Sequence, residues 1–151
     1  MKHPILVLMT ALALSACTTL NNKPQPVTVI DKTTAATFSG QAVHATRDYV
    51  YVGAMDSGKR HGYGVSYFRN GLIQAGHWKQ DQLDGEAVVI SPDVGSVNAG
   101  TFSADEQVGP GVVVLDGEVV QGIFEQGKAA PAQPRCYREG QQIDCGSSGL
   151  L

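Results

Sequence analysis

Tyr51-Val-Gly53-Ala-Met55, Gln74-Ala-Gly76-His-Trp78, Asn98-Ala-Gly100-Thr-Phe102 and Val120-Gln-Gly122-Ile-Phe124 are four copies of one pattern. Their glycines stand 23, 24 and 22 residues apart. In the first three copies a second glycine (Gly62, Gly85, Gly109) follows nine residues later. Fifteen of the eighteen glycines of the chain fall between Gly40 and Lys128. A fixed period of this length marks an array of small structural units stacked in series.

The content of each unit reads as a β-hairpin. Val65-Ser-Tyr67-Phe68 favours a strand. Asn70-Gly71 supplies the positive φ angles of a tight turn, and Leu72 to Ala75 returns the chain. Val112 to Leu115 turns at Asp116-Gly117 in the same way, and Ala87 to Ile90 turns through the longer Ser91-Pro-Asp-Val-Gly95. Upstream, Gly40 to His44 turns near Thr46-Arg-Asp48. The expected fold class is all-β: an elongated, single-layer antiparallel sheet of tandem hairpins over residues 38–128. Eight strands at about 4.8 Å give a sheet roughly 35–40 Å long. Glycine weakens a strand interior. Two readings of these glycines stand side by side. They are turn residues, or they leave bare backbone for the rings of Trp78, Phe102 and Phe124 to cover.

The pattern resembles the MORN repeat, a hairpin unit with the signature Tyr-x-Gly-x-aromatic, then Gly, Gly-x-Gly and Gly. Tyr51, Gly53, Gly58, Gly62, Gly64 and Gly71 match it, with Met55 at the aromatic position. Later copies depart: Gln74, Asn98 and Val120 replace the tyrosine, and Ala87 replaces a glycine. The resemblance implies a scaffold, a membrane-associated module or an adjunct to a catalytic domain. No segment of this chain is long enough to be that catalytic domain.

The N-terminus reads as an address. Lys2 precedes an apolar run, Ile5 to Leu14, too short to span a bilayer. Residues 1–16 look like a bacterial signal peptide, and Leu14-Ser-Ala-Cys17 resembles a lipobox. That resemblance implies cleavage before Cys17 and acylation of it; ordinary cleavage beside an incidental thiol is the alternative. Two or more acyl chains anchor stably where one binds reversibly. Thr18 is not the aspartate of inner-membrane retention, so the lipoprotein resemblance implies the outer membrane, facing the periplasm. Residues 17–37, with Pro24 and Pro26, read as a flexible tether, with Val27 to Ile30 a lesser candidate for an edge strand.

Charge is segregated along the chain. Residues 17–79 carry seven basic and three acidic side chains, whereas residues 80–127 carry nine acidic and no basic ones. This is either sign drift on a solvated surface or a polarity that serves a basic partner or divalent cations through Asp81, Asp84, Asp105 and Glu106. The repeats bear no basic stripe for nucleic acid. Cys136 and Cys145 are the pair left once Cys17 is consumed, and in an exported chain they are expected to bond. Their eight-residue spacing is not that of a CxxC redox site. The bond would close a hairpin around Gly140 and cap the array, with residues 129–151 as cap and tail.

Several chemical motifs are incomplete. Gly53-Ala-Met-Asp-Ser-Gly58-Lys59-Arg60 nearly spells a phosphate-binding loop, but Arg60 replaces the required Ser or Thr. His44, His61 and His77 occupy unlike repeat positions and form no zinc set. No cofactor, metal or catalytic group is expected. The leading reading is a non-catalytic scaffold or binding platform held at the membrane, with Tyr63, Tyr67, Trp78, Phe102 and Phe124 as its binding face. Its partner is a protein or other envelope component. The alternative is direct phospholipid binding through Lys59, Arg60 and Arg69; an enzyme of unknown class is the remote third.

Overall fold

The computed structural model describes residues 27–147. Cys17, the leader at 1–16 and the first part of the expected tether lie outside them. Eleven strands form one sheet in strict chain order: β1 (Thr28–Ile30), β2 (Gly40–Ala45), β3 (Tyr49–Asp56), β4 (Lys59–Phe68), β5 (Ile73–Lys79), β6 (Gln82–Ser91), β7 (Ser96–Ser103), β8 (Glu106–Leu115), β9 (Glu118–Phe124), β10 (Ala132–Arg138) and β11 (Gln141–Ile143). All pairings are antiparallel except β1 with β2, which is parallel. The single-layer hairpin sheet is therefore present, and it is longer than the eight strands read from the sequence.

The extra strands sit at the two ends. Residues expected as the second half of the tether instead form β1 and a helical turn, α1 (Lys32–Ala35), whose N-cap Asp31 accepts the Thr34 N–H at 2.7 Å. At the other end β10 pairs directly with β9, so the C-terminal hairpin continues the sheet rather than hanging from a linker. Its turn is Glu139-Gly140, and Cys136 and Cys145 are joined behind it with Cα atoms 5.1 Å apart.

The two kinds of turn are held differently. At one rim Asn70-Gly71 and Asp116-Gly117 are local turn sequences. At the other rim Gln80-Asp81 and Ala104-Asp105 take positive φ angles of 53°, 73°, 50° and 70° without glycine. A contact between repeats holds them there. Asp81 accepts the Arg60 N–H at 2.8 Å, and Asp105 accepts the Leu83 N–H at 2.8 Å. The first such turn has no preceding repeat. Ser39 takes that place and accepts the Ser57 N–H at 2.9 Å, while Phe38 C=O accepts the Gly58 N–H at 3.0 Å. The segment after α1 thus acts as the N-terminal cap, as repeat arrays require.

Strand alternation gives the sheet two faces. Ala42, Tyr51, Met55, Trp78, Leu83, Ala87 and Phe102 form the buried core on one of them, with Ile30 and Ala35 folded over its first strands. The opposite face has no layer of described residues upon it.

Candidate functional site

The core face is built around Gly64. Tyr51 lies across it, so a methyl group on Gly64 would meet Tyr51 Cε2 and Cζ at 2.5 Å. Trp78 packs edge-on to Tyr51 with centroids 5.9 Å apart and donates from Nε1 to Gly64 C=O at 3.1 Å. Phe124 does the same job later in the sheet, with Cδ2 3.1 Å from a methyl group placed on Gly111. Rings over glycine are thus found, and the ring nearest a glycine in the first repeat is Tyr51.

Arg60 belongs to this face as well. Its guanidinium lies 3.9 Å from the Trp78 ring centroid and 5.5 Å from that of Tyr49. It donates to Ser66 Oγ at 3.0 Å and to Asp81 C=O at 2.6 Å. Burial raises both phenols, Tyr51 to about 12.

These contacts correct two expectations. The five rings do not share a binding face. Trp78, Phe102 and Phe124 are buried on the core face, whereas Tyr63 and Tyr67 stand 71% and 54% exposed on the other. The basic trio does not form one lipid-facing patch. Arg60 is held in the core face, and Lys59 and Arg69 flank opposite ends of the ten-residue β4, roughly 30 Å apart. The acidic set also divides, because Asp81 and Asp105 are committed to lacing turns together. Among the described residues no group of three or more His, Cys, Asp or Glu is placed to hold a metal ion.

The open face is where a site remains. Two rows of apolar residues cross it in register. The first runs Val50–Tyr67–Ile73–Ile90–Val97–Val114–Val119 over seven strands. The second runs Val43–Val52–Val65–Ala75–Val88–Ala99–Val112 over seven. Tyr63 and His77 flank the rows edge-to-face at 5.2 Å. Small residues make the surface concave beside Tyr63, where Ala75, Val88, Ala99 and Pro110 line a depression of about 620 Å³. Apolar rows of this extent on one face exceed the scattered hydrophobics normal for a surface and mark a site of contact.

A hairpin array of this kind defines a repeat protein whose sheet presents a continuous surface. The repeat is similar to the MORN repeat: the family model of that description matches residues 51–73 and 75–93. MORN repeats are non-catalytic modules for binding and scaffolding, often associated with membranes. A comparison with curated proteins gave no match. The matched stretches run from β3 through β6, and the later hairpins continue the sheet with the departures noted above.

Proposed function

We propose that this chain is a lipid-anchored, non-catalytic binding platform in a bacterial envelope. Cys17 carries the anchor at the periplasmic side of the outer membrane, and the open face of the sheet docks a protein or other envelope component. One observation carries the docking role: Val50, Val52, Tyr63, Val65 and Tyr67 are all exposed on one face of two adjacent strands. Buried against a partner, large apolar and aromatic side chains of this kind supply most of an interface's energy. The anchor rests on Leu14-Ser-Ala-Cys17 and is independent of the sheet.

Photo-crosslinking from Tyr67 in the native envelope tests the platform. The expected result is a discrete adduct that disappears in Val65→Asp. An adduct pattern indifferent to Val65→Asp removes the open face from the docking role. The anchor is tested separately by mass spectrometry of the membrane-extracted chain. Acyl groups on Cys17 are expected, and an N-terminus without them rejects the anchor.

A further inference from the structure

The strands themselves call for a cover on both sides. Ala87-Val-Val-Ile90 and Val112-Val-Val-Leu115 are continuous apolar runs, the pattern of strands buried on both faces. The core face accounts for Ala87, Val89 and Val113; Val88, Ile90, Val112 and Val114 stand in the open rows. We propose that the occupant is a second copy of this chain, stacked face to face about a two-fold axis. The axis runs along the strand direction between β5 and β6. This deepens the platform reading and rests on it.

Size is the first argument. The two apolar rows together cross eight strands, about 40 Å, and are about 13 Å wide, roughly 500 Å² per copy. Counted over both copies, this reaches the roughly 1,000 Å² at which specific interfaces begin.

Charge is the second. The operation exchanges the β2–β3 turn with the β8–β9 turn, and the β4–β5 turn with the β6–β7 turn. Exposed Arg47 then meets Asp116 of the second copy, and exposed Arg69 meets Asp93 of the second copy. The segregation of basic and acidic residues along the chain becomes a complementary rim. An axis along the apolar rows instead would bring Arg69 toward a rim of mixed sign, with Lys59 and Lys79 beside Asp56 and Asp81, and without the one-to-one pairing. Asp48 lies beside both arginines, next to Arg47 in sequence and accepting the Arg69 N–H on its C=O at 3.0 Å.

Cysteine crosslinking of the full chain in its envelope tests this arrangement. Ala75 on β5 is next to the axis, so two copies of Ala75→Cys approach one another. Two copies of Val112→Cys on β8 are about 24 Å apart. With a short bismaleimide linker that spans the two sheets, Ala75→Cys should give a crosslinked dimer on a denaturing gel, with at least about tenfold less from Val112→Cys. Adding Arg69→Glu to Ala75→Cys should lower the dimer about tenfold, and Asp93→Arg on top should restore it. Equal crosslinking at both positions, no dimer from Ala75→Cys, or failure of Asp93→Arg to restore it would each overturn the proposal. If Ala75→Cys gives no dimer while Tyr67 still crosslinks to a different protein, the platform stands and the second copy falls. If Tyr67 captures nothing either, both fall.

Discussion

The core face and the open face of this sheet are cut from the same strands, with alternate residues of each run serving one or the other. On the core face every large side chain has a specific seat. Trp78 has a hydrogen bond, an edge-on neighbour and a stacked cation. On the open face Tyr67, Ile73, Ile90 and Val97 meet only their cross-strand neighbours in register and otherwise face outward. The difference teaches where a single-layer sheet gets its stability. A lone hairpin is marginal in water. Here one face, thickened by the rings of Tyr51 and Phe124 against Gly64 and Gly111, acts as the core, and the other is left for contact.

The largest test of that division is Trp78→Ala against Tyr67→Ala, by urea unfolding of the full chain. Trp78 is fully buried, and its loss should cost about 3–5 kcal/mol. Tyr67 contributes a cross-strand pair and should cost less than about 1 kcal/mol. Equal losses would mean that the faces are not functionally distinct. Next in size is Gly64→Ala. The added methyl group meets the Tyr51 ring, and overpacking of this kind costs about 1–3 kcal/mol. Tyr51→Ala opens the space, so the double variant should be more stable than the sum of the two single losses. Strict additivity would show that ring and glycine do not touch.

How much of this was legible follows the same division. The hairpins and their order could be read because the glycine period and the Asn70-Gly71 and Asp116-Gly117 turns are local signals. The placement of the rings could not. Tyr63 and Trp78 both lie near a repeat glycine, but they stand on strands paired in opposite sense, and parity along each strand puts them on opposite faces. Arg60 looked like a surface cation because nothing local announces that Trp78 and Asp81, about twenty residues on, will enclose it. Asp81 and Asp105 looked like free charge for the same reason. Gln80 and Ala104 carry no turn signal, so those turns depend on carboxylates that bond to the preceding repeat. Val27 to Ile30 read mainly as tether because β1 is only three residues long and its pairing is nonlocal. The lipid anchor lies outside the described residues and is untouched by any of this.

The lacing gives a smaller prediction. Asp105→Ala leaves the Leu83 N–H, a part-buried donor, without its carboxylate. The expected loss is about 1–2 kcal/mol in urea unfolding. Asp84→Ala, whose backbone carbonyl rather than its carboxylate meets His77, should change little. A reversed order would return Asp105 to the role of surface charge.

The smallest effect concerns pH and belongs wholly to the core face. Tyr51 donates its hydroxyl hydrogen to Ala54 C=O at 2.7 Å, so Tyr51→Phe should cost about 1 kcal/mol at neutral pH. Burial, partly offset by the Arg60 charge, raises its folded pKa from 10.0 to about 12. The unfolded phenol therefore releases its proton first, and the unfolded chain binds fewer protons between those values. Stability from this group is complete below pH 10, falls as the pH rises from 10 toward 12, and is gone above that range. Tyr51→Phe should therefore make the alkaline limb of the stability curve shallower, leaving the part contributed by Tyr49, whose phenol burial also raises. Urea midpoints measured from pH 9 to 12 decide the matter. A limb whose slope is unchanged in Tyr51→Phe would assign the alkaline loss to other groups, and the seat of Tyr51 over Gly64 would then have to be looser than its contacts imply.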